Sequence, residues 1–355
     1  MYLNAVLNIY GGTGRNKIIL FPYRFLKPKR KGTNKMELNE LFMKAMEQKK
    51  IEGVKEQTIY CYYSLYKNNV KNTEVATMDI TKIKTLNLQE IINNMLAAGK
   101  KRTTIENAKK MLNTVFNYGV FAEYISYNPA ARLRIGRNEE KPPVRKFTVY
   151  ELNAFFNTLA SDDRNCIQAY NLFMILLSTG LRIREALALN ESDVDIINKT
   201  IRVNKAINKF NKMDTTKTTG STAILPLNNT AIHFFKAQIN NLNQYNYYNK
   251  GRSEKYNGSN FVFIDFNTGK RLHYHTAFRI FNKTKAKAGI NASLTPHSFR
   301  HTYASMLFNV DNINVYQVTK LLRHSDISTT VKYYTETTAE DLRATNNIID
   351  NIINI

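Results

Sequence analysis

Apolar positions along this chain recur mostly at helical spacing, and short β-branched runs break that rhythm in one region only. Residues 37–135 are helical in pattern throughout. There Ile105, Ala108, Leu112, Val115, Phe116 and Gly119 share one stripe at three- and four-residue intervals, which predicts a helix buried on that side. Thr104 is its expected N-cap, and Asn128-Pro129 ends the segment beyond it. The stretch 136–146, GRNEEKPPVRK, has adjacent prolines and mixed charge and reads as a linker. Residues 147–337 are again mainly helical. Strands are expected at Thr200–Val203 and Thr222–Leu227, flanking a polar, lysine-rich loop, and a third at Asn260–Ile264. The expected fold is mainly α with a small antiparallel β-sheet. Residues 338–355 are expected to form a final helix whose Leu342, Ile348, Ile349, Ile352 and Ile353 make an apolar stripe with no obvious place in its own core.

Length and charge sharpen this picture. At 355 residues, two domains are the natural division. Lys and Arg number 51 against 28 Asp and Glu, a formal charge of +23. A solvated surface would account for part of this, but an excess so large repels itself unless a polyanion neutralises it, so a nucleic-acid partner is expected. Lys100, Lys101, Arg102, Lys109 and Lys110 lie off the apolar stripe, as either a solvated or a DNA-facing surface. The separate opening piece, residues 1–36, holds a basic cluster at Lys27, Lys29, Arg30 and Lys31. Its GGTGRNK stretch lacks the Gly-Lys-Ser/Thr of a phosphate loop and the third glycine of a dinucleotide fingerprint, and reads as a turn. Cys61 and Cys166 have neither zinc-ligand spacing nor the look of a disulfide framework, which suits a reduced, cytoplasmic setting. Neither a signal peptide nor a membrane span is expected, the longest strongly apolar run, Leu172 to Leu177, being only core-sized.

The candidate chemistry sits in the second half. In TPHSFRHTYASML (295–307), Pro296 suits the first helical position. At about 100° per residue, Phe299, Tyr303, Met306 and Leu307 cluster on one side, and His297, Arg300, His301 and Ala304 on the other. Burying the first set would present His297 and Arg300 together, with Ala304 admitting something bulky; an ordinary surface pair is the competing reading. In TGLRIREAL, Arg182 opens a helix after Gly180 with Glu185 on its face. That is either a plain ion pair or a guanidinium fork oriented for a phosphate oxygen. Lys217, in TKTTGSTAILPL, sits in an exposed loop near Lys205, Lys209 and Lys212; a mobile ammonium there could protonate a leaving oxygen. LLRHSDISTTVKYYT places Tyr333 nine residues after His324. A phenol titrates near pH ~10 and becomes a nucleophile only where cations stabilise the phenolate. Tyr334 is a rival, about 100° away on a helix.

Taken together and in this order, TGLRIREAL, TKTTGSTAILPL, TPHSFRH, LLRHSDISTT and VKYYT resemble the tyrosine recombinase, or phage integrase, family over roughly 147–340. The resemblance implies a catalytic domain over 147–337 and, more loosely, a helical core-DNA-binding domain over 37–135. It puts the family's catalytic positions on Arg182, Lys217, His297, Arg300, His324 and Tyr333, with Glu185 as supporting acid. Where the family often has Leu-Gly-His, this chain has Leu322-Arg323-His324. Because arginine does not readily take a left-handed backbone, the turn is expected to differ there, or Arg323 to add a phosphate contact.

The activity so implied is site-specific cutting and rejoining of DNA through a 3′-phosphotyrosyl link, for integration or excision of a mobile element, without ATP, metal or other cofactor. The implied partners are double-stranded DNA held between two domains, a homotetramer on paired sites with the terminal helix either packed on a neighbouring protomer or folded back on its own, and accessory DNA-bending or directionality factors. The protein would associate with the nucleoid when bound to DNA. A type IB topoisomerase-like relaxation activity and a non-catalytic DNA-binding protein are the alternatives; RNA binding has no signature to support it.

Overall fold

The computed structural model describes residues 35–136, 145–160, 163–215, 223–250, 260–308, 313–324, 326–328 and 331. The chain divides into two compact units, Met1–Arg137 and Asn138–Ile355. Nearly all of the opening piece 1–36, and the whole of 338–355, lie outside the described residues. Among those described, no helix is long and apolar enough to cross a membrane.

The first unit is built from α1 (Leu38–Ile51), α2 (Glu56–Asn69), α3 (Thr85–Ala97) and α4 (Arg102–Phe121), with two short 3-10 turns at Glu74–Thr77 and Ile80–Lys82. α4 is the hub against which α1, α2 and α3 pack. The whole predicted stripe from Ile105 to Gly119 is buried along it. Thr104 is not its cap: the helix begins two residues earlier, with Lys101 at the N-cap position. Gly99 at φ +63° ends the preceding helix tightly, and the chain re-enters helical geometry almost at once.

The second unit contains α5 (Val149–Leu159), α6 (Arg164–Thr179), α7 (Ile183–Ala186), α8 (Asn229–Asn249), α9 (Tyr274–Lys287), α10 (Pro296–Phe308) and α11 (Val315–Leu322). Its strands are β1 (Val194–Asp195), β2 (Thr200–Val203), β3 (Lys205–Ile207), β4 (Met213–Thr215) and β5 (Ala223–Pro226). A three-stranded sheet runs in the order β1-β2-β5, antiparallel throughout, with Ile201 opposite both Val194 and Leu225. The lysine-rich stretch expected to be loop carries a second, two-stranded sheet, β3 with β4. Two asparagines turn it: the Asn208 carboxamide oxygen accepts from the Phe210 and Lys212 amides, and Asn211 takes φ +59°. The strand expected at Asn260–Ile264 is reduced to isolated bridges at Phe261 and Ile264. Its backbone is satisfied partly by other backbone groups, the Val262 amide by the Leu189 carbonyl and the Phe263 carbonyl by the Leu272 amide, and partly by side chains. Gln168 donates to the Ile264 carbonyl at 2.8 Å and accepts from the Ile264 amide at 3.0 Å, while Gln238 donates to the Val262 carbonyl at 2.8 Å.

α6, which carries the apolar run Leu172–Leu177, is the central helix of this unit and contacts α5, α7, α8, α9 and α10. Phenylalanines fill the space around it. Phe299 from α10 stacks on Phe147 at 4.6 Å and on Phe173 at 5.6 Å, and meets Phe155 edge-on at 5.6 Å. That anchor fixes how α10 lies on α6, and so sets where His297 and Arg300, two residues before and one after Phe299, can point.

Candidate active site

The end of α6 begins the site. Gly180 is the left-handed C-cap at φ +64°, and a Cβ there would run into the Tyr303 ring and lie 3.1 Å from Leu322 Cδ2. Glycine is therefore required on two counts, backbone and space. Gly180→Ala should lower unfolding stability by about 2–4 kcal/mol, measured by urea denaturation; an unchanged midpoint would contradict the close packing of α10 and α11 on this turn.

Arg182 follows as the N-cap residue of the short α7, and Glu185 holds it twice. The carboxylate accepts from the Arg182 amide at 2.9 Å and from the guanidinium Nη1 at 2.9 Å. Glu185 is buried, with its side chain 8 % exposed, whereas the Arg182 side chain remains 43 % exposed.

α10 corrects the expected division of its faces. Phe299 is fully buried, but Met306 is 43 % exposed, while Ala304 and Arg300, expected on the open side, are 0 % and 1 % exposed. The reason is α11, which packs across that side: Val318 and Leu322 bury against Ala304, whose small side chain admits them. Arg300 thus lies beneath the surface. Its guanidinium donates through Nη1 to the Gly180 carbonyl at 2.6 Å and through Nη2 to the Leu322 carbonyl. One side chain therefore ties the turn before Arg182 to the turn before His324.

The second of those turns corrects the expectation that its backbone would avoid the left-handed conformation at Arg323. This arginine does adopt the left-handed conformation, φ +54° and ψ 44°, as the C-cap of α11, and the Arg323 and His324 amides close the helix end on the Lys320 and Thr319 carbonyls. The backbone cost, roughly 1–2 kcal/mol, is offset by what the side chain gains. Its Nη2 lies 2.6 Å from Glu185 Oε2, and the side chain is 13 % exposed. Glu185 therefore sits between two guanidiniums, Arg182 and Arg323. Burial pushes its carboxyl pKa up, but Arg323 and then Arg182 outweigh burial and hold it below the usual range.

Three imidazoles share this field. The His297 and His301 rings meet edge-on at 4.5 Å. His297 keeps much of its surface open to solvent, yet the protein around the ring, then Arg300 and Arg182, push its pKa down to about 4 against the opposing pull of Glu185. His324 is lowered to about 4 by burial, then Arg300, Arg182, His297 and Arg323, and His301 to about 3 by burial, then His297, Arg300 and His324. Held so low, all three are neutral at pH 7, and the guanidiniums of Arg182, Arg300 and Arg323 set the charge around them together with the Glu185 carboxylate. Their native pKa values lie below the unfolded value of 6.5. The stability they contribute is therefore complete above about pH 6.5 and is lost as pH falls toward about 4 for His297 and His324 and about 3 for His301. In the DNA-free protein, ring-proton titrations by NMR should place the His297 and His324 midpoints below about pH 5; midpoints near the ordinary imidazole value would contradict this packing.

The structure thus brings together Arg182, His297, Arg300 and His324, from the segments around α7, α10 and the end of α11. Lys217, between β4 and β5, and Tyr333 lie outside the described residues. Among the described residues no three His, Cys, Asp or Glu side chains gather as they would to hold a metal ion. The ion pair of Arg323 with Glu185 went unread in the sequence; the signal was a charged residue where a left-handed turn calls for glycine.

The model of the phage integrase family matches residues 145–340, more than half of the chain. A XerC-like tyrosine recombinase of Caldanaerobacter subterraneus subsp. tengcongensis is 28% identical over 79% of this chain and 74% of its own length. XerD of Staphylococcus haemolyticus is 24% identical over 79% of this chain and 88% of its own. Among solved structures, the Tn1549 transposon integrase in complex with a circular intermediate DNA superposes with a TM-score of 0.71 at 24% identity, covering 88% of this chain and 99% of that one. A lambda integrase tetramer bound to a Holliday junction gives a TM-score of 0.65 at 16% identity, covering 91% and 88%. With the family's sequence model spanning the segments that build the site, and its fold recovered across both units, the chain belongs to the phage integrase family of tyrosine recombinases.

Proposed function

We propose that this protein is a site-specific recombinase that cuts and rejoins DNA through a covalent link between Tyr333 and a 3′-phosphate, in the integration or excision of a mobile element. The observation that carries this reading is the convergence of Arg182, His297 and His324 at one surface with Arg300 buried beneath them. In the proposed reaction the Tyr333 oxygen attacks phosphorus, the bond from phosphorus to the 5′-oxygen breaks, and the phenolic proton passes to neutral His297. Lys217 protonates the departing 5′-oxygen. The half-exposed Arg182 binds non-bridging oxygens directly. Arg300, buried behind it, adds fixed positive charge where negative charge grows in the transition state, and neutral His324 donates a ring N–H. A 5′-hydroxyl from a partner strand then reverses the step. The link conserves the phosphodiester bond energy, so the cycle asks for no ATP.

The proposed partners are duplex DNA, bound largely through phosphate contacts by the strongly basic chain, and three further copies of this chain on paired sites, with residues 338–355 packing on a neighbouring protomer. Accessory factors would set the direction of exchange. The Tn1549 and lambda integrase structures, which hold DNA, support the first partner, and the lambda tetramer the second.

The test is a nicked duplex taken from the flanks of the protein's own gene, from which the short fragment carrying the new 5′-hydroxyl diffuses away after cleavage. A denaturant-resistant protein–DNA adduct, and recombinant products when two intact sites are supplied, are expected. Relaxation of supercoiled plasmid without exchange between sites would instead favour a topoisomerase, and tight binding with no adduct a non-catalytic protein.

A further inference from the structure

Glu185 poses an electrostatic difficulty for the reading just given, on which the present inference rests. It is bound to the half-exposed guanidinium of Arg182, and a carboxylate 2.9 Å from Arg182 Nη1 cancels much of that charge. The structure contains the remedy. Arg323, on the opposite side of the same carboxylate, contacts Oε2 at 2.6 Å, while Arg182 Nη1 contacts Oε1. The exposures are graded to match: the Glu185 and Arg323 side chains are 8 % and 13 % exposed, and Arg182 is 43 % exposed. A neutral pair lies behind, and one net positive charge faces outward.

We infer that Arg323 is a positioning residue that neutralises Glu185, so that Glu185 can orient Arg182 without cancelling the charge Arg182 offers to the scissile phosphate. Two observations favour this over a role in the turn alone. First, the turn would be better served by glycine, since Arg323 sits at φ +54°. Second, the turn has its own fastenings: the Arg323 and His324 amides bond back to α11, and Arg300 holds the Leu322 carbonyl. The Arg323 guanidinium serves α7 rather than its own helix, joining Glu185 across 138 positions of sequence. Arg323 thereby also links the Arg182 and His324 segments, in parallel with Arg300.

The charge on Arg323 has a consequence that a purely structural role would not have. Full-length wild type, Arg323→Gly, Arg323→Lys, and Arg323→Gly combined with Glu185→Gln are compared in single-turnover cleavage of the nicked duplex, with duplex affinity and melting temperature measured alongside. Arg323→Gly, which relieves the backbone, should keep affinity within about threefold and still lose about tenfold in cleavage rate, because a charge near the transition state is removed. Arg323→Lys should recover several-fold of that loss. Adding Glu185→Gln to Arg323→Gly should raise the rate again, since the amide oxygen still accepts from Arg182 but no longer offsets its charge. Wild-type cleavage by Arg323→Gly, or a double variant slower than the single one, would overturn the proposal while leaving the recombinase reading intact. If Arg323→Gly melts early, Arg323→Lys becomes the deciding variant: it must cleave more slowly than wild type and faster than the glycine variant. Should wild type itself form no adduct, the recombinase reading fails and this inference with it.

Discussion

Tyr333→Phe is expected to eliminate covalent DNA capture, a fall of about 10⁴-fold or more in cleavage, while duplex affinity stays within about threefold. The phenol contributes one oxygen to the reaction and little to the charge that binds DNA, so chemistry and binding should separate cleanly. A phenol is a poor nucleophile at neutral pH because its proton leaves only near pH ~10. In the proposed reaction, attack therefore depends on a neutral imidazole to receive the proton and on guanidiniums to stabilise the charge that develops. The site supplies both: His297 is held neutral, with a pKa of about 4, beside Arg300 and Arg182. Tyr334→Phe is the matched control and should cleave as wild type does. Loss of capture with Tyr334→Phe and its survival with Tyr333→Phe would move the nucleophile by one residue.

Arg300→Lys is the second substitution expected to have a large effect, and it should damage stability and chemistry together. The guanidinium is 1 % exposed and spans two backbone carbonyls, Gly180 and Leu322, from separate turns. A lysine keeps the charge but cannot bridge both acceptors in that fixed geometry. One carbonyl would be left buried without this donor, at about 1–3 kcal/mol. The turns carrying Arg182 and His324 would lose a shared restraint, and a fall of about 10²–10³ in cleavage is expected. Urea unfolding and single-turnover cleavage measure the two effects; a lysine variant with full rate and stability would show that the bridge is dispensable.

The helical stripes and the order of motifs were legible because they depend on neighbours three and four positions away. Ile105 to Gly119 and the run Leu172–Leu177 announce their burial locally. What stayed hidden depends on partners far along the chain. No local pattern could show that Gln168 would supply hydrogen bonds to Ile264, 96 positions away, where a strand partner was expected. The faces of α10 were misjudged for the same reason. Arg300 looks like a surface residue until α11 covers it, and Ala304, read as making room for something bulky, makes room for Leu322 and Val318. Arg323 is the sharpest case. Backbone preference argues against arginine in a left-handed turn, but that preference is small beside an ion pair with a buried carboxylate, and the carboxylate lies on a helix 138 positions earlier.

Everything in the proposed chemistry turns on one covalent bond, so the most direct measurement is to digest the trapped protein–DNA adduct and locate the modified peptide by mass spectrometry. A nucleotide joined through its 3′-phosphate to the peptide containing VKYY, with fragmentation assigning it to Tyr333, is the predicted result. A phosphate on a serine, on a tyrosine of the first unit, or on a 5′ end would contradict it.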